Sequence, residues 1–236
     1  MKSLDLLKDY YKNTAHYYDS LQIYNRDEHH IALLILSGYL LDSSINNILD
    51  VGTGTGRALI FLQKNFQRLS CKGIDLVPEL REIALSKGLS PDQIDIGSAE
   101  NLPYADEQFE VVIALGVLHH VEDPSRVIQE MLRVSSKYIY ISDHNIYGWG
   151  RSLTKFAKRI IRRLFGQITL KYLMTCGKGY HNTDYDGIFY PFSICDYIPL
   201  IKSSCNIELM VSTKGAVNNL YTDASHIAIL ASKYSE

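Results

Sequence analysis

The chain has little of what staples small secreted domains or crosses a membrane. Its 236 residues hold four cysteines, Cys71, Cys176, Cys195 and Cys205, with no C-x-x-C pair. That spacing excludes a disulfide framework or a zinc cluster and fits a reducing cytoplasm. No stretch approaches the roughly 18 apolar residues of a spanning helix. The opening MKSLDLLKDYYKN has no apolar core, so no signal peptide is expected. Internal repeats and low-complexity linkers are absent. Excess charge of one sign is also absent: 24 Lys+Arg stand against 26 Asp+Glu, a net charge of -2. This balance argues against a nucleic-acid binder, which is normally basic overall. With 46% hydrophobic residues the composition excludes disorder and supplies a core for one large α/β domain or two small ones.

The order of apolar segments predicts an α/β fold. Leu4, Leu6, Leu7, Tyr10 and Tyr11 keep helical spacing, as do Ile31, Leu34, Ile35 and Tyr39. Strands are expected at 48–51, 71–75, 94–96, 109–115 and 138–142, with helices at 58–62, 78–87 and 123–134 between them. Such alternation requires crossover connections and a parallel sheet. Segments 207–212 and 224–231 read as a closing hairpin with one antiparallel strand and no room for a helix between them. The expected organisation is an N-terminal helical lid (1–44), a core (45–143 and 205–236) and an inserted substrate cap (144–204), because the alternation breaks after Asp143.

The chemistry starts at Asp50-Val-Gly-Thr-Gly-Thr-Gly56, where a strand becomes a helix. Glycines let the backbone approach a ligand, and the helix N-terminus offers free N–H groups. Asp75 ends the next strand, where a carboxylate accepts both hydroxyls of a ribose. The pair reads as a site for a nucleoside-containing cofactor, with a purely structural turn as the alternative. Arg57 occupies the third-glycine position of the dinucleotide fingerprint, which counts against NAD and FAD.

These residues carry a resemblance. The segments ILDVGTGTGRALIFL (48–62), GIDLVPELREIA (73–84), GSAENLPYADEQFEVVIALGVLHHVEDPSRVIQEMLRV (97–134) and YIYIS (138–142) resemble class I S-adenosylmethionine-dependent methyltransferases. The likeness is to the small-molecule branch that includes ubiquinone and menaquinone biosynthesis enzymes. The resemblance implies a Rossmann-like three-layer sandwich around a mostly parallel seven-stranded sheet with an antiparallel closing hairpin. It implies S-adenosyl-L-methionine as cofactor, with Asp50, Gly52, Thr53, Gly54 and Gly56 at the methionine end and Asp75 on the ribose. Leu76, Ser98, Ala99 and Glu100 would meet the adenine, Ser98 standing where the family usually has an aspartate. Leu115 and Gly116 would lie near the methionine amine, with Tyr17 and Tyr18 over the cofactor.

The expected reaction is methyl transfer to a small-molecule or lipid-linked acceptor, at a hydroxyl deprotonated by a histidine. His144 ranks first because it ends a strand beside Asp143; His181 and His120 follow, each with a packing role as its alternative. Nitrogen and carbon acceptors, a non-catalytic partner-binding module and a nicotinamide-dependent reductase are the competing readings. A metal held by Asp143, His144, His181, Asp184 and Asp186 matches no tight motif, and none is expected.

One local absence stands apart. From His144 to Thr183 there is no Asp or Glu, but there are eight cationic residues: Arg151, Lys155, Lys158, Arg159, Arg162, Arg163, Lys171 and Lys178. Residues 151–168 read as a basic amphipathic helix. It is expected either to cover the pocket with its apolar face or to meet an anionic membrane surface or an acidic carrier protein. The expected location is cytoplasmic, with peripheral membrane contact as an option and no nucleic-acid partner. The aromatics Tyr180, Tyr185, Phe189, Tyr190, Phe192 and Tyr197 read as a pocket wall or as a clamp.

Overall fold

The computed structural model describes residues 3–23, 26–41 and 44–234; the side chain of Leu4 lies outside them. Helices α1 (Ser3–Thr14), α2 (Tyr18–Gln22) and α3 (Glu28–Leu41) precede the sheet. Then strands and helices alternate: β1 (Asn47–Val51), α4 (Arg57–Asn65), β2 (Ser70–Asp75), α5 (Pro78–Ser86), β3 (Ile94–Ile96), β4 (Phe109–Leu115), α6 (Pro124–Val134) and β5 (Ser135–His144). The remaining elements are α7 (Ser152–Met174), a small hairpin of β6 (His181–Thr183) and β7 (Gly187–Phe189), α8 (Ile198–Lys202), β8 (Cys205–Ser212), α9 (Leu220–Asp223) and β9 (His226–Lys233).

The main sheet has seven strands in the order β3-β2-β1-β4-β5-β9-β8, and only β9 runs against its neighbours. The three-layer sandwich and its antiparallel closing strand match the expectation. Period-two alternation divides the core. Val112, Ala114, Ile139 and Ile141 face α6, whereas Val111, Ile113 and Tyr140 face α3 and α4. The order turns between β1 and β4, so their carboxyl ends open a crevice where ligands bind in sheets of this kind.

Three features depart from the expectation. A one-turn helix, α9, fits between β8 and β9 because Asn219 Oδ1 accepts from the N–H groups of Tyr221 and Thr222. In α3 the buried face is Ala32, Leu33, Leu36 and Leu40. Almost every position from 31 to 41 is apolar, so spacing alone does not choose a face. Finally, Phe192, Ile194 and Ile201 join the core with α6. The chain thus re-enters the sandwich about a dozen residues before position 205, leaving α7 and the hairpin as the parts outside it.

Candidate functional site

The first wall is the loop after β1. Gly52 and Thr53 N–H groups donate to the Ile74 carbonyl at 2.8 and 3.1 Å, pinning the loop over β2. Gly54 has φ +53°, and its N–H donates to Asp75 Oδ2 at 2.7 Å. Asp75 Oδ1 accepts from Val77 N–H at 2.9 Å, so the carboxylate is fixed at the strand end. Burial pushes its carboxyl above the usual range, against the pull of these N–H groups.

Two cavities flank this loop. A cavity of about 610 Å³ is lined by Gly52, Gly54, Asp75, Leu76, Ser98, Ala99, Glu100, Leu115, Gly116, Tyr18 and neighbours. Its size falls within the usual range for small-molecule sites. A second, of about 340 Å³, is lined by Asp50, Thr53, Arg57, Glu28, His29, His119, His144 and Asp186 among others. Tyr11, Tyr18, Gly52, Leu115, Gly116 and His120 line both. At Gly116, φ is +70°, and a Cβ would lie 2.5 Å from the His29 ring; only glycine keeps the shared wall this thin.

Most residues expected at the cofactor line one cavity or the other. Gly56 lies behind the loop, where a Cβ would strike Leu89 at 2.3 Å. Tyr17 turns away: it is 56% exposed and its ring lies 3.8 Å from that of His16. Ser98 Oγ accepts from Glu100 N–H at 3.2 Å, bracing the loop beside the cavity.

The histidines are arranged differently from the expectation. Asp143 does not orient the ring of His144: its carboxylate accepts from the His144 backbone N–H at 2.7 Å and makes no hydrogen bond to that ring. Its Oδ1 also accepts from His119 Nδ1 at 2.7 Å, and its Oδ2 from Leu118 N–H at 2.8 Å. His119 Nε2 stands 3.4 Å from Asp186 Oδ2. Burial pulls His119 toward the neutral form, but the two carboxylates outweigh it and push its pKa up to about 10. The charge of His119 in turn holds Asp143 well below the usual carboxylate range, despite burial. His144 stacks on His119 with centroids 4.1 Å apart. Burial, then the charge of His119, drives it well below the ordinary histidine range.

His120 lies at the junction of the cavities. Its Nδ1 is 2.7 Å from the Ile188 carbonyl, which can only accept, so in the neutral ring the proton sits on Nδ1. Nε2 then receives the Tyr11 hydroxyl at 2.8 Å, with Asp186 Oδ1 3.5 Å away. Burial pushes the Tyr11 phenol well above its ordinary range, so it remains a donor. Asp186 stays ionised: burial opposes this, but the facing His120 and His119 hold its carboxyl far below the usual range. His181 lines neither cavity; its ring packs on Phe189, with centroids 4.9 Å apart.

Ligand atoms of His119, His120 and Asp186, and of His119, Asp143 and His144, converge within 4.8 Å. His181 and Asp184 join neither group. Both groups share His119, whose Nδ1 already faces Asp143 and whose Nε2 faces Asp186.

Sequence reading missed how the N-terminal segment is fastened. Arg57, in the third-glycine position, pairs with Asp27 at 2.6 Å. Thr55 Oγ1 donates to Asp19 at 2.6 Å, and Lys87 pairs with the same carboxylate. The glycine turn therefore holds the segment that carries Tyr18. Asp50 is buried, and burial pushes its pKa up to about 7.

Comparison with known proteins agrees with this geometry. A family described as a methyltransferase domain matches residues 49–138. The chain is 30% identical over 139 residues to norajmaline N-methyltransferase of Rauvolfia serpentina, covering 54% of this chain and 47% of that one. It is 28% identical over 193 residues to ajmaline N-methyltransferase of the same organism, covering 74% and 63%. It thus spans less than two thirds of the length of these curated relatives. Magnesium protoporphyrin IX methyltransferase from Synechocystis PCC 6803, solved with bound SAH, shares the fold with a TM-score of 0.66. That match is at 14% identity and covers 99% of this chain and 100% of that one. A methyltransferase domain thus occupies residues 49–138, and its motif order and sheet order are similar to those of class I S-adenosylmethionine-dependent methyltransferases.

Proposed function

We propose that the protein transfers a methyl group from S-adenosyl-L-methionine to a small-molecule or lipid-linked acceptor, at a hydroxyl, with His120 as the base. The observation that carries this reading is the wall shared by the two cavities, with His120 Nε2 at the junction. The larger cavity fits the cofactor: Asp75 is a fixed acceptor for ribose hydroxyls, and Gly52 and Gly54 leave room above the loop. Bound there, the cofactor supplies a methyl already activated on a sulfonium.

The chain supplies placement, and alignment of reactants alone contributes about 7–11 kcal/mol in favourable cases. Tyr11 and Tyr18 close the wall from the N-terminal side and exclude water. An acceptor hydroxyl in the smaller cavity replaces the Tyr11 hydroxyl at His120 Nε2 and gives up its proton there. The ionised Asp186, 3.5 Å away, offsets the charge that His120 then gains. His144, ranked first by sequence, lacks an orienting carboxylate and is held neutral, so its proposed role is to pack against His119. His181 has no proposed role in the chemistry.

A second reading, transfer to an amine, is favoured by the names of the two Rauvolfia relatives and by the carboxylates of Glu28 and Asp186 in the smaller cavity. Burial opposes ionisation of Glu28, but its backbone N–H and His226 hold it below the usual range.

A panel of phenolic and amine acceptors, assayed with labelled cofactor against wild type and His120→Asn, separates the readings. Loss of transfer to phenols alone supports the hydroxyl. Equal transfer to amines in both proteins supports nitrogen, and no transfer to either class overturns methyl transfer to a small acceptor.

A further inference from the structure

Helix α7 sits on the protein in an inverted way. Four of its cations face the domain. Lys158 Nζ donates to the carbonyls of Trp149, at 2.7 Å, and Ile146. Arg162 pairs with Asp196, Lys155 lies 3.8 Å from Asp223, and the Lys171 ammonium sits 4.5 Å above the Tyr190 ring. Within the helix only Leu170 is fully buried, joined by the partly buried Ile161 and Met174 against Tyr147 and Trp149.

The apolar side faces outward. Leu153, Phe156, Ile160 and Leu164 form one stripe, from 41% exposed at Ile160 to 83% at Leu153. The helix breaks at Gly166 (φ 84°), and Ile168 and Leu173 extend the exposed apolar surface beyond it. No α7 residue lines either cavity, so the expected pocket-covering role is not what this face does. A soluble protein normally turns such a stripe inward.

Charge identifies what covers it. Arg159 and Arg163 flank the stripe, with the Arg159 guanidinium 5.8 Å from the Phe156 ring, and Arg151 stands at the helix start. None of the three has an acidic partner among the described residues, and the sequence from 144 to 183 holds no acid at all. An apolar stripe rimmed by free guanidinium groups complements an anionic lipid surface: the side chains enter the acyl boundary and the arginines meet headgroup phosphates. A second copy placed on the stripe brings the same arginines against one another. The helix does not cross the bilayer, because no described helix is long and apolar enough to do so.

We propose that α7 is an in-plane docking helix for an anionic bilayer. The inference stands apart from the choice of acceptor.

The test is flotation of the full chain with vesicles of phosphatidylcholine alone or mixed with phosphatidylglycerol. Wild type is expected to float with the mixed vesicles only, and binding falls at least tenfold as salt shortens the screening length from about 10 to about 3 Å. Phe156→Ser with Leu164→Ser, and separately Arg159→Glu with Arg163→Glu, are each expected to abolish flotation while affinity for the demethylated cofactor is unchanged. Absence of flotation at low salt overturns the proposal, and so does equal binding to both vesicle types. A concentration-dependent dimer lost in the serine variant, without flotation, overturns it in favour of a second copy.

Discussion

Asp143 precedes His144 in the chain, yet its carboxylate is bound by the ring of His119 at 2.7 Å. The pair is buried, and Asp186 approaches the far side of the same ring. Removing one partner of such a pair leaves an uncompensated charge. Asp143→Ala is therefore expected to lose about 3–5 kcal/mol of stability, read from urea denaturation at neutral pH.

The same pair fixes a pH dependence. The pKa of His119 is raised from 6.5 to about 10 on folding. Its contribution is complete below pH 6.5 and is lost as pH rises through 10. Asp143 is depressed, so its contribution is complete above the ordinary carboxylate range and is lost as pH falls through its lower value. The urea midpoint of wild type should fall between pH 6.5 and 10, and His119→Gln should flatten that fall. An unchanged slope in the variant would show that His119 is not held protonated.

His120, not His144, governs turnover in the proposed reaction. Replacing a general base typically costs about 10²- to 10⁴-fold in rate. His120→Asn should show that loss in kcat on a hydroxyl acceptor, while His144→Ala should lose less than about tenfold. The reverse order, from steady-state kinetics on both variants, would return the base to the strand end.

Arg57 and Asp27 pair at 2.6 Å with side chains only 20% and 6% exposed, and Asp27 Oδ1 also accepts from His30 N–H at 2.8 Å, capping α3. Asp27→Ala is therefore expected to cost about 0.5–2 kcal/mol, seen as a lower melting temperature. It should loosen the segment carrying Tyr18, seen as faster cleavage between α2 and α3 by a nonspecific protease and slower cleavage when the demethylated cofactor is added. Identical cleavage rates would mean the segment is held elsewhere.

The sheet was legible because β4 reads FEVVIAL, apolar and buried from Val111 to Ala114 as a strand covered on both faces must be, and because glycine, acid and helix follow β1 in fixed order. Asp75 and Gly54 could be paired for the same reason: both lie at strand ends whose positions the alternation sets. The histidine network was not legible. Asp143 and His144 adjoin in sequence, but Asp143 binds only the backbone N–H of His144, and the ring it holds is 24 residues away on another loop. Asp186 lies on a hairpin with no periodic signal. The direction of α7 was hidden as well, since a helical pattern shows that two faces differ but not which one meets the protein. Only the contacts of Lys158 and Arg162 reveal that the polar face turns inward.

The cofactor site is tested most directly by calorimetric titration of S-adenosylhomocysteine into wild type, Asp75→Ala and Asp75→Asn, with circular dichroism to confirm the fold. Wild type should bind one equivalent. Asp75→Ala should bind about 5- to 150-fold more weakly, the loss of about 1–3 kcal/mol of hydrogen bonds to a charged group, with Asp75→Asn in between. Folded wild type that takes up no ligand, or alanine and wild-type proteins of equal affinity, would contradict the placement of the cofactor at this strand end.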